Sequence, residues 1–142
     1  MARYKYGNKQ EKGIKNMHIN IRSIRNKMQE IKYIVQSHSP HVLGVSETEI
    51  HNNQIDVEQL KVPDSDKVLP KSWNNVNKAR VVVYVKKSFQ YEHLDVLESN
   101  SIQSIWIRGH LKNSKNIYFC HAYREHMADE TIAYQREVFK IF

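Results

Sequence analysis

The stretch VLGVSETEI, residues 42–50, is apolar or glycine from Val42 to Val45 and then brings Ser46, Glu47, Thr48 and Glu49 together. A carboxylate there has two readings. Either a buried strand ends and a solvated loop begins, or Glu47 is fixed at a sheet edge to hold something positive. A second chemical candidate is Cys120 beside His121. Neighbouring side chains on a strand point to opposite faces, so the two do not meet as nucleophile and base. Cys120 reads instead as a small core residue, and as a single cysteine it excludes an internal disulfide. The eight histidines offer no zinc spacing, since His38 and His41 straddle Pro40 and share no assured helical face.

The elements that must position these residues follow from periodicity. In NMHINIR, Met17, Ile19 and Ile21 alternate with His18, Asn20 and Arg22, which is a strand pattern. His18 shares a face with Asn20 and reads as a hydrogen-bonded core histidine. Ser23 stands where an N-cap belongs, and Ile24, Met28, Ile31 and Ile34/Val35 form the stripe of an amphipathic helix that ends before Pro40. Val42 to Val45 is the next strand. The opening is therefore β-α-β, with parallel strands and a right-handed crossover. Residues 51–78 read as a long loop with at most short elements. Arg80 to Lys87 is a β-branched strand, and Tyr91 to Leu97 is a candidate for another. Ile102 to Leu111 and Ile117 to Tyr123 form a hairpin about the turn Lys112 to Asn116. Asp129 is placed to cap a last helix carrying Ile132, Val138, Phe139 and Phe142. That pattern breaks off unfinished, so the sequence reads as cut.

Size and charge set the class. A chain of 142 residues, 40% hydrophobic and 26% charged, is one globular domain with a core of its own. No apolar run approaches the roughly 18 residues of a membrane span, and the first residues lack a signal-peptide pattern. The expectation is an intracellular protein, nuclear or cytoplasmic, with no membrane partner. The net charge of +7, from 22 Lys and Arg against 15 Asp and Glu, favours a polyanionic partner. Part of the excess lies in a basic tail over residues 1–14, ahead of the domain at 15–142.

Three separated pieces then line up: HINIRSIRNKMQEIK, VLGVSETEI, and VVVYVKKS followed by SIWIRGHLKNSKNIYFCHAYRE. Together they resemble the endonuclease/exonuclease/phosphatase superfamily, in particular the endonuclease domains of non-LTR retrotransposons. The resemblance runs from Asn16 to Phe142 and covers the first half of the family domain. It implies an α/β fold, a partial four-layer α/β sandwich of two β-sheets flanked by helices. It also implies hydrolysis of phosphodiester bonds with a divalent metal, Mg2+ or else Mn2+, and DNA as partner. Residue by residue, Glu47 matches the metal-binding glutamate, Asn20 the first-strand asparagine that bonds a phosphate oxygen or a metal-bound water, and Tyr123 the tyrosine near the scissile phosphate. The plain alternatives are a strand-end carboxylate, an asparagine bonded to neighbouring backbone, and a strand aromatic with its hydroxyl in water.

The sequence also departs from the pattern. The family's Gly-Gly is Ala79-Arg80, its tryptophan after Ser-Glu-Thr is Glu49, and its Arg-Pro-Pro after the tyrosine is Arg124-Glu125-His126. The Asp-x-Asn and late Asp-His of the family's second half have no counterpart. The expectation is the N-terminal portion of a DNA endonuclease, inactive as this fragment, with a reverse transcriptase domain in a longer product and self-association through a bare apolar sheet face. The alternatives are a non-catalytic retroelement remnant that binds nucleic acid, and a phosphatase of the same superfamily.

Overall fold

The computed structural model describes residues 13–51, 56–73, 78–99, 101–113 and 115–124. The basic tail and the helix expected after Asp129 lie outside them, apart from residues 13 and 14. Strand β1 (Asn16–Asn20) leads through helix α1 (Met28–His38) to β2 (Val42–His51). The two strands pair in parallel, Asn16 with Val42 through Asn20 with Ser46, as a β-α-β unit requires. Strands β3 (Ser65–Val68) and β4 (Lys78–Lys86) complete a sheet in the order β1-β2-β4-β3. Strands β5 (Tyr91–His93), β6 (Ser104–His110) and β7 (Asn116–Ala122) form a second, antiparallel sheet.

The run Val81 to Val85 shows why β4 is central. It is apolar at every position because both of its faces are covered. Val82 and Tyr84 pack with Leu43, Val45 and Ile31 on the helix side. Val81, Val83 and Val85 pack with Ile105, Ile107 and Phe119 of the second sheet. Phe89 joins this inner core by crossing Gly109, where a Cβ would stand 2.4 Å from its ring. The result is a partial α/β sandwich of two sheets with a helix outside, as the family resemblance implied.

Several local expectations change. Ser23 does not cap the helix, which starts at Met28 without a side-chain cap. Tertiary bonds take the preceding residues instead: Ser23 N donates to Glu47 O (2.6 Å) and Ile24 N to Thr48 O (2.9 Å). Ile24 is thereby buried against β2 and not carried round a helical turn. The loop after His51 contains the short edge strand β3 and a 3-10 turn at Val57–Leu60, where Tyr84 Oη donates to Leu60 O (2.7 Å). Tyr91 to Leu97 is a three-residue strand followed by a 3-10 turn at Asp95–Leu97. Cys120 is exposed on the outer face of β7, not in the core, while His121 is buried on the inner face. Though the residue is exposed, its thiol is pushed up to about 11, first by desolvation and then by the Glu98 carboxylate. A bare apolar sheet face is not seen among the described residues. Their exposed large hydrophobics, Tyr33, Val96 and Tyr118, sit on separate elements.

Candidate active site

At Glu47 the strand neither ends nor continues regularly. Ser46 pairs with Val81 and Ile50 with Ala79, so Glu47, Thr48 and Glu49 together face the single residue Arg80. Two extra residues bulge out of β2, which then runs on to His51. Glu47 and Glu49 both take left-handed backbone, with φ of 54° and 52°. Each such residue costs roughly 1–2 kcal/mol. The bulge is held by Thr48, fully buried, whose Oγ1 donates to Ala79 O (2.6 Å), and by the two bonds from Ser23 and Ile24. Bulges re-aim side chains, and both glutamates of this one line a single cavity.

That cavity has a volume of about 240 Å³, and Glu47, Glu49, His51, Lys78, Arg80 and Tyr123 are among its walls. Tyr123 follows directly on β7, its N–H held by Gln103 O (3.0 Å). The Arg80 guanidinium lies over its ring, 5.2 Å from the centroid. Gln103 also accepts from Arg80 N (2.5 Å) and donates to Lys78 O (2.9 Å), joining the start of β4 to the start of β6. The structure therefore brings Glu47 and Tyr123 together.

Asn20 is placed differently. Its Cα pairs with Ser46, one residue from Glu47, but it is not among the cavity's walls. Its Oδ1 accepts from Arg22 N (3.2 Å), the local turn that the sequence allowed as the plain alternative. His18 is hydrogen-bonded, to His121 and Ser46, as expected, but it is exposed on β1 and not a core residue. Sequence reasoning missed Arg80, which counted only as a departure from Gly-Gly. It also missed Glu49, because a bulge has no signature in strand periodicity.

The donor set decides what cation the site suits. Among the described residues, no three acidic, histidine or cysteine side chains converge on a point. Glu47 and Glu49 are hard oxygen donors in one cavity. Such a pair suits Mg2+, which takes its other ligands from water and phosphate, and does not suit zinc.

Sequence comparison finds no matching family model and no matching curated protein. Solved structures do match. The endonuclease domain of TRAS1, a telomere-specific non-LTR retrotransposon, superposes with a TM-score of 0.67 at 8% identity over 91% of this chain and 52% of that one. The AP endonuclease LMAP from Leishmania major gives 0.64 at 12% identity over 90% and 47%. Humanized D. rerio TDP2 gives 0.62 at 10% identity over 89% and 55%. The chain thus has the fold of the endonuclease/exonuclease/phosphatase superfamily. It spans about half the length of the structures that it matches.

Proposed function

We propose that this chain carries part of a metal-dependent endonuclease site of the non-LTR retrotransposon kind, acting on phosphodiester bonds in DNA. The observation that carries the reading is the β2 bulge, which spends left-handed backbone at two glutamates to set Glu47 in one cavity with Tyr123 and Arg80. Glu47, with Glu49 beside it, would hold Mg2+. When bound, that ion polarises a phosphoryl oxygen and stabilises the leaving oxygen. Arg80 offers a planar guanidinium to a phosphate and lies over the Tyr123 ring. The Tyr123 phenol donates to charge that develops on the phosphate. Asn20, on the adjacent rung, orients phosphate or water once its bond to Arg22 N is exchanged.

The test is nicking of supercoiled DNA with Mg2+ or Mn2+ present. Glu47→Ala is expected to abolish whatever nicking the parent protein shows, and nicking unchanged by that substitution ends the assignment. A second reading, nucleic-acid binding without cleavage, is favoured by the small number of acidic donors converging among the described residues. It predicts metal-independent DNA binding with no nicking by the parent chain.

A further inference from the structure

One polar cluster has no part in the reading above. His18, exposed on the edge strand β1, meets His121, buried on the inner face of β7, Nδ1 to Nδ1 at 2.8 Å, with rings 12° from parallel and centroids 5.1 Å apart. His121 Nε2 bonds Asn16 Oδ1 (2.8 Å), and His18 Nε2 bonds Ser46 Oγ (3.0 Å). Gly44 makes the room: a Cβ there would stand 2.0 Å from His121 Nδ1.

With Asn16 Oδ1 as the acceptor at one end, the protons along the chain can be assigned. His121 Nε2 donates to it. A neutral imidazole has a single N–H, so His121 Nδ1 accepts from His18 Nδ1–H. His18 Nε2 then accepts from the Ser46 hydroxyl. One added proton fits: it goes to His18 Nε2, and Ser46 turns to donate to Ile19 O at 3.4 Å. A second does not. It would set N–H against N–H and place two like charges in contact.

Among the described residues, the other groups facing the pair are Asn16 from β1, Gly44 and Ser46 from β2, Val83 from β4 beside Gly44, and Ile105 from β6 across the ladder from His121. None is charged. Besides burial, the influence on His121 is the charge of His18 itself. The position also matters. His18 lies two residues before Asn20, His121 two before Tyr123, and Ser46 immediately before Glu47. The cluster ties together the three strands that carry those residues.

We propose that His18 and His121 form a proton-counting clamp: with at most one added proton it holds β7 against β1 and β2, and a second proton releases it. The consequence for Glu47 and Tyr123 rests on the site described above, whereas the clamp stands on its own geometry.

The experiment is imidazole 15N spectroscopy of the labelled full chain from pH 8 to pH 4, with 13C-labelled tyrosine reporting on Tyr123. The expected result is opposite tautomers at pH 7.5, Nδ1–H at His18 and Nε2–H at His121, followed by two coupled titration steps. Tyr123 ring signals should shift with the second step. Matching tautomers, independent titration at ordinary histidine pH, or a Tyr123 ring that ignores the second step would each overturn the clamp. Ser46→Ala removes the acceptor for the first added proton and should weaken that step about tenfold, one pH unit. An unmoved first step would remove Ser46 from the mechanism. None of these readouts uses DNA cleavage, so they stand or fall apart from the nuclease assignment.

Discussion

A gap between two packed sheets favours the neutral form of an imidazole, because burial penalises charge. His121, 3% exposed, is pushed down to about 4, first by burial and then by the nearby charge of His18. His18 and His41 are lowered as well, both chiefly by burial. In the unfolded chain a histidine titrates near 6.5. Between these values the unfolded state binds more protons than the native state, so stability is full above pH 6.5 and is lost as pH falls toward 4. From pH 7.5 to pH 5, His121 alone should remove about 2 kcal/mol, a large share of the roughly 5–15 kcal/mol of a typical domain. Urea unfolding at those two pH values measures it. Carboxylates remain largely ionised at pH 5, so a flat response would mean that these imidazoles are not held neutral. Little of this was legible in sequence. Strand parity put His121 and Cys120 on opposite faces, but it could not say which face was inward, nor that His121 meets a partner 103 residues away.

At the scale of elements, the sequence was most readable where a side chain's period alone decides its place. The alternation in NMHIN, the unbroken Val81–Val85 run and the β6–β7 hairpin all appear in the structure near their expected limits. Two kinds of element were hidden. Strand β3, Ser65–Val68, has no apolar alternation and exists because β4 offers it an edge. The β2 bulge imitates a strand end, since four successive polar or charged residues look like exit to solvent. Thr48 is what keeps it a strand. Thr48→Val preserves branching and size but leaves Ala79 O without its side-chain donor, at a cost of about 1–3 kcal/mol. Thr48→Ser, which retains the hydroxyl, should cost less. Thermal unfolding of the two variants separates the effects. If valine is no worse than serine, the hydroxyl does not hold the bulge, and packing alone must account for it.

On the whole-molecule scale, the two ends of β4 carry different basic surfaces. Near its start, Lys78 and Arg80 border the cavity of Glu47 and Tyr123. Just beyond its far end, Lys87 shares a broader hollow of about 570 Å³ with Lys32, Lys61 and Lys67. The net charge of +7 does not say which surface meets a polyanion. Both surfaces carry carboxylates, and at the cavity Glu47 and Glu49 stand beside Lys78 and Arg80. In the far hollow Lys61 is paired with Glu58, Lys67 donates to Val57 O, and Asp64 and Asp66 lie among the lysines. If the nuclease reading holds, duplex DNA lies over the Arg80 end. Binding to a short duplex without metal should then weaken with salt at a log–log slope of about −4, the release of four to five counterions, or on the order of a hundredfold from 50 to 200 mM. Arg80→Glu should lower the affinity and flatten that slope by about 1 or more, whereas Lys87→Glu should change both less. Fluorescence anisotropy at four salt concentrations reads slope and affinity together. A Lys87 effect larger than that of Arg80 would turn the molecule end for end on its DNA and separate binding from the Glu47 cavity. A slope near zero for the parent chain would exclude phosphate contacts at either end.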